Sequence, residues 1–370
     1  MVLFLDTEPE APPSTERRRR IGWLLLLIGL AAASVLALSP APYVIEKPGP
    51  YYDTLGSVQF QGETVPLIEI PGEETYPTEG ELTLLTVTIE GNPDRLPTWI
   101  DIALAWLQPS RTVVPVGVVY PPGSTVEDTT ERSRIDMENS QREAIAAALT
   151  ELDYEVPGHL LIAGTQEGGP SDGVLAEGDV VVSVNGDSFD DVTALREGIA
   201  ANGTDQPAEV IVERDGEQET FQITPELSDG ENPAPILGIL VGAEYEFPID
   251  VTIQLENVGG PSAGLMFALG IIDKLSPGAL NGGEEVAGTG TITGTGNVGR
   301  IGGIRQKMYA ALESGADWFL APADNCPDVV GNVPDGLTVF PVATLDDAME
   351  VLDAIRTDGG IEELATCEAG

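Results

Sequence analysis

The spacing of apolar and polar residues divides the chain into parts. Ile21 to Leu38 is an uncharged run of 18 residues, mostly Leu, Ile and Ala, which predicts a marginal membrane-spanning helix. Glu81 to Glu90 (ELTLLTVTIE) alternates and predicts a strand within a β-rich segment that begins near residue 43. Thr98 to Leu107 is apolar and stops before Pro109, and Glu131 to Leu152 carries Ile145, Ala148, Leu149 and Leu152 at helical spacing. Two helices are therefore expected after the strands.

From Pro157 to Pro225 the pattern changes to HLLIAG, a Gly-Gly-Pro turn, VLAEGDVVVSVNGDSF, a helix around Val192 to Ala200, and the strands AEVIVER and ETFQITP joined by Asp215-Gly216. An Asp-Gly pair between alternating strands signals a hairpin. Residues 236–355 then mix strands (ILGILVG, DVTIQL, WFLAP) with helices from Pro261, from Ile304 and near Leu345 to Ile355. The fold class expected is α+β, with a basic tail (1–20), a transmembrane helix (21–38), a segment 43–155 able to complete the last domain, a β-rich domain (157–226), an α/β domain (236–355) and a short tail (356–370).

The order of elements in 157–226, with Asn185-Gly186 in its central hairpin, resembles a PDZ domain. That resemblance implies docking of an extended peptide along a sheet edge, with His159, Leu160, Leu161 and Ile162 as the expected groove strand. The preceding loop reads Val156-Pro157-Gly158-His159-Leu160 in place of a Gly-Leu-Gly-Phe type, which leaves recognition of a C-terminal carboxylate open.

Charge sets the surroundings. With 61 acidic against 17 basic residues the formal charge is −44, which excludes nucleic acid as a partner. Arg17 to Arg20 precede the apolar run, so the positive-inside rule puts them in the cytoplasm and the body outside. A cleaved signal peptide has the same layout, but Pro40 and Pro42 crowd the cleavage sites near Ala37 to Ala41, which favours an anchor. Cys326 and Cys367 are able to form one disulfide in an exported body or to stay as two thiols. The single histidine, His159, leaves no His-rich metal site to build. No metal and no cofactor is expected, and the absence of a Walker motif removes the expectation of a nucleotide.

Gly259-Gly260-Pro261-Ser262-Ala263-Gly264 lies between a strand and the run LMFALGII, apolar on every side, as a buried helix is. Ser262 then falls on its first turn, either capping it or acting as a nucleophile beside free N–H groups of the Gly260 to Ala263 turn, which can hold an oxyanion. A serine nucleophile needs a base, and the lysines are Lys47, Lys274 and Lys307. Lys47 sits beside the apolar run, and Lys274 lies twelve residues along the same helix, roughly 18 Å from Ser262. Lys307 falls at the edge of the stripe Ile304, Met308, Ala311 and Leu312, where burial would lower its pKa.

GGPSAG followed by Lys307 within VAGTGTITGTGNVGRIGGIRQKMYAALESGA, and then FLAPADN, resembles the proteolytic domain of Lon. With the anchor, PYVIEKPGPYYDTLG and the PDZ-like part, the layout is similar to ATP-independent, PDZ-containing Lon-like proteases of bacterial membranes. The resemblance implies Ser262 as nucleophile, Lys307 as base, Thr289 as a supporting hydroxyl, protein or peptide substrates, and a homo-oligomer. Gly259 departs from the Asp common in Lon, as Thr291 does from Glu. The alternative function is a catalytically silent PDZ adaptor at the membrane.

Overall fold

The computed structural model describes residues 15–121, 125–189, 191–228, 233–256 and 258–367. In chain order the elements that matter are α1 (Thr15–Ala37), β1 (Tyr43–Asp53), β2 (Glu81–Glu90), α2 (Trp99–Trp106), β3 (Thr112–Pro115), α3 (Val126–Glu151), β4 (Gly158–Thr165) and β5 (Val180–Val184). They continue with α4 (Val192–Asn202), β6 (Ala208–Arg214), β7 (Glu217–Ile223), β8 (Ile239–Tyr245), α5 (Gly264–Leu275), β9 (Glu285–Gly288), α6 (Ile304–Ser314), β10 (Trp318–Pro322), β11 (Thr338–Val342) and α7 (Leu345–Thr357). Two units divide them, one holding the described parts of Met1–Glu46 and Ile89–Gly123, the other those of Lys47–Thr88 and Ser124–Gly370.

In the first unit, Arg19–Ala37 is long and apolar enough to cross a membrane. Residues 43–46 pair antiparallel with β3, and α2 starts at a capping box in which Thr98 and Asp101 satisfy each other's backbone amides.

Among the described residues, the second unit holds two large sheets beside several two-stranded ones. The first has the order β11-β10-β9-β2-β1, with β9 parallel to both β2 and β10 and β10 parallel to β11. Its strands bury both faces, so neighbouring residues serve opposite cores, as in parallel sheets. Val286, Leu320 and Phe340 face α5, α3 and α7. Ala287, Phe319, Ala321 and Val339 face Ile304, Met308, Ala310 and Ala311 of α6. Every residue from Gly264 to Asp273 of α5 is buried, which explains a helix apolar on all sides. Within this unit the β1 and β2 residues of 47–88 thus share a sheet with β9 to β11 and α3 packs on it, whereas residues 89–123 of the expected segment 43–155 fall in the first unit.

The second sheet has the order β7-β6-β5-β4-β8, closed over by Leu195 and Ile199 of α4. It corrects two expectations. Residues 239–245 pair with β4, so the start of 236–355 belongs to the PDZ-like sheet. The expected groove strand, His159 to Ile162, is interior: β4 has β8 on one side and β5 on the other, which leaves it no free edge.

Candidate active site

Gly260 adopts a left-handed φ of 84°, a conformation glycine accepts without penalty, and the turn delivers Ser262 to the head of α5. Ala263 is the N-cap of α5 and no side chain caps it, so the Ser262 hydroxyl is not spent on the helix. Its carbonyl accepts from Gly290 N–H at 3.0 Å and from Thr289 Oγ1 at 2.8 Å. Both donors follow directly on the carboxyl end of β9, where functional residues of parallel sheets collect.

From the opposite layer, α6 begins at Gly303, left-handed at φ 67°, and points Lys307 past the end of β9. Lys307 Nζ lies 2.6 Å from Ser262 Oγ and donates to Thr289 Oγ1 at 2.8 Å. At 2% exposure the amine is buried, more fully than a position at the stripe's edge predicts, while Leu312 of the expected stripe is 40% exposed. Burial away from water lowers the Lys307 pKa to about 7, because desolvation disfavours the ammonium. A neutral amine can take the Ser262 proton, while Thr289, accepting from Nζ and donating to the Ser262 carbonyl, holds the amine in place.

The pair opens into a cleft of about 410 Å³ whose lining includes Leu85 to Thr88, Met137 and Gly259. Pairing of β2 with β9 ends at Leu84, so on that side Leu85 to Thr88 run past their partner. Of the oxyanion donors expected, Gly260 is withdrawn, since its N–H donates to Ser133 O of α3 at 2.8 Å. The amides of Ser262 and Ala263 stand at the helix head, where N–H groups have no intrahelical acceptor. Lys274 is elsewhere, donating to the Leu55 carbonyl.

Residues 256–355 match the family described as Lon protease (S16) C-terminal proteolytic domain. The chain carries a Lon-type proteolytic domain. Similar proteins include the Lon protease of Azospirillum brasilense, 40% identical over 25% of this chain and 11% of that protein. Lon protease 1 of Bacillus subtilis (strain 168) is 34% identical over 29% of this chain and 14% of that protein. The matches thus span only about a seventh or less of these relatives' length. Residues 135–224 match the PDZ domain family. The PDZ domain of an SdrC-like protein from Listeria monocytogenes superposes with a TM-score of 0.20 at 16% identity, covering 22% of this chain and 85% of that one.

Beside the Lon-type domain, the PDZ-like sheet offers its edge through β8, which the sequence reading missed. A cavity of about 450 Å³ lies between β8 and α4, lined by Leu195, Arg196 and Ile199 on the helix and by Ile236 to Val241 on the other side. Its one local signal was ILGILVG, which alternation alone assigns to a strand without a neighbour. His159 is exposed and apart from the cleft lining. Cys326 and Cys367 are joined by a disulfide.

The short hairpin Thr291–Ile292 with Val298–Gly299 connects the Lon-type site to this PDZ-like groove. At its base stand Thr289 and Gly290. At its tip Thr295 Oγ1 donates to Asp191 Oδ2 at 2.8 Å, and Asp191 Oδ1 caps α4 through Ala194 N–H. Gly294 N–H also donates to Glu143, which accepts from Tyr245 Oη at 2.6 Å at the end of β8.

Proposed function

We propose that this chain is a membrane-anchored, ATP-independent serine endopeptidase with a Ser-Lys dyad, cleaving proteins or peptides outside the cytoplasmic membrane. The observation that carries it is a serine hydroxyl 2.6 Å from a buried amine whose pKa falls to about 7. Neutral Lys307 takes the Ser262 proton as Oγ bonds to the substrate carbonyl carbon. The oxyanion formed is stabilised by the amides of Ser262 and Ala263. As the C–N bond breaks, the Lys307 ammonium returns its proton to the leaving amine. Water then attacks the acyl-enzyme, giving Lys307 a proton that passes back to Ser262 Oγ as the acyl bond breaks.

Leu85 to Thr88 support an extended substrate laid along the open side of β2. The α4–β8 cavity supports peptide docking by the PDZ-like domain, and the hairpin from Asp191 to Thr289 supports a gating role for it. The anchor rests on Arg19–Ala37 and the basic cluster before it, ATP independence on the lack of a Walker motif, and the homo-oligomer on the resemblance to Lon.

A serine-reactive fluorophosphonate applied to the purified chain tests the reading. Wild type should label without added ATP, and Ser262→Ala and Lys307→Ala should not. Labelling that survives both substitutions would place the reactivity at another site or favour the rival, a silent PDZ adaptor, which a wild type that does not label would also favour. Leu240→Asp on exposed β8 should lower capture of extended peptides without changing probe labelling.

A further inference from the structure

The first unit carries a helix that is apolar on all its faces yet covered on only one. In α2, Ile102 and Ala105 are fully buried against Ala41 and Ile45. The opposite face, Ile100, Ala103, Leu104 and Leu107, recurs at the i, i+3, i+4, i+7 spacing of a single stripe. Exposure rises along it from 45% at Ile100 to 79% at Leu107, and Trp106 beside it is 67% exposed. A helix apolar all round is stable where both sides are removed from water.

Position and charge say what covers it. Arg19–Ala37 is 19 residues, about 28 Å at 1.5 Å per residue, which the bilayer's hydrocarbon uses up. Directly after it Pro40 bridges to Thr98, and Trp99 N–H donates to the Ser39 carbonyl, so α2 starts where the apolar span ends. Trp99 stacks edge-on with Tyr43 there, as aromatic residues do at a membrane boundary. In a chain with 61 acidic residues, residues 96–121 hold one acid, Asp101, and one base, Arg111. Asp101 is tied into the cap at the head of α2. The patch therefore lacks the charge that repels a lipid surface elsewhere on this protein.

We infer that α2 is an interfacial helix, its Ile100, Leu104, Trp106 and Leu107 face inserted into the outer boundary of the bilayer that α1 crosses. The inference rests on α1 being the anchor. Insertion here is apolar and not electrostatic, so it holds in zwitterionic lipid.

The full chain, reconstituted in phosphatidylcholine vesicles whose lipids carry a nitroxide at a shallow or a deep acyl position, gives the test through tryptophan emission. Comparing wild type with Trp106→Phe isolates Trp106, and comparing Ile28→Trp with wild type isolates the centre of the apolar span Arg19–Ala37. Trp106 should lose emission chiefly to the shallow label and the Ile28→Trp reporter to the deep one, and Leu104→Asp with Leu107→Asp should abolish the Trp106 loss. Trp106 unaffected by either label while the Ile28→Trp reporter is quenched overturns the interfacial helix and leaves the anchor. An Ile28→Trp reporter unquenched by the deep label overturns the anchor itself. Self-association that the double variant abolishes, with Trp106 unquenched, assigns the patch to a second copy and also overturns the inference.

Discussion

Titration of Lys307 links activity and stability through one proton. With a folded pKa of about 7, about a tenth of the amine is neutral at pH 6 and about nine-tenths at pH 8. The rate of fluorophosphonate labelling should therefore rise about tenfold between pH 6 and pH 8 and then level off. The stability effect has the opposite origin but the same sign. Unfolded lysine keeps a pKa near 10.5, so between about pH 7 and 10.5 the unfolded state binds the extra proton and folded stability rises with pH. As pH falls through that window, wild type loses at most about 5 kcal/mol, at about 1.4 kcal/mol per unit. Lys307→Met removes this loss, so its stability advantage over wild type should be largest near pH 7 and shrink toward pH 10. Thermal unfolding of both proteins in one detergent measures the difference. A labelling profile that inflects near 10, or an advantage that does not change with pH, would refute the buried neutral amine.

Other outcomes follow from single contacts. Thr289→Val leaves Lys307 Nζ without its 2.8 Å acceptor, a loss of about 1–3 kcal/mol, so labelling should slow by about ten- to hundredfold and Thr289→Ser should restore it. Gly259→Asp places a Cβ 2.7 Å from Ser133 Cβ and should lower the melting temperature. In a Ser133→Gly background, which relieves the clash, the same substitution should move the labelling inflection above pH 7. Cys367→Ser opens a link closing 41 residues, worth at most about 4 kcal/mol by chain entropy, and should lower the melting temperature only under oxidising conditions.

Some of this was readable without coordinates because chemistry was scarce. Three lysines and a single histidine left few ways to activate Ser262, and the buried helix after it was plain from LMFALGII. What could not be read depended on distant partners. Alternation marks HLLIAG and ILGILVG equally as strands, and only the pairing of residues 158–165 with 239–245 decides which of them is the edge. Helical phase set Lys307 at the rim of a stripe, but the end of β9 and the head of α5, both remote in sequence, decide that its amine is enclosed. Gly260 offered an amide to an oxyanion until α3 supplied Ser133 O.

Gly259 bears on both the packing and the charge around Lys307. A carboxylate close to Lys307 would hold its ammonium and raise its pKa, working against the desolvation that lowers it. Gly259 lines the same cleft as Lys307, and its Cα faces Ser133 with no room for a side chain. Packing of α3 over the turn therefore does two things at once: it takes the Gly260 amide, fixing the loop, and it keeps an acid from occupying position 259. Burial lowers the Lys307 pKa, so the enclosing layers set the charge of the amine and Thr289 orients it without adding charge. With α3 lying across the turn, position 259 has no room for a carboxylate that would hold the ammonium, so the lowering by burial stands unopposed from that side.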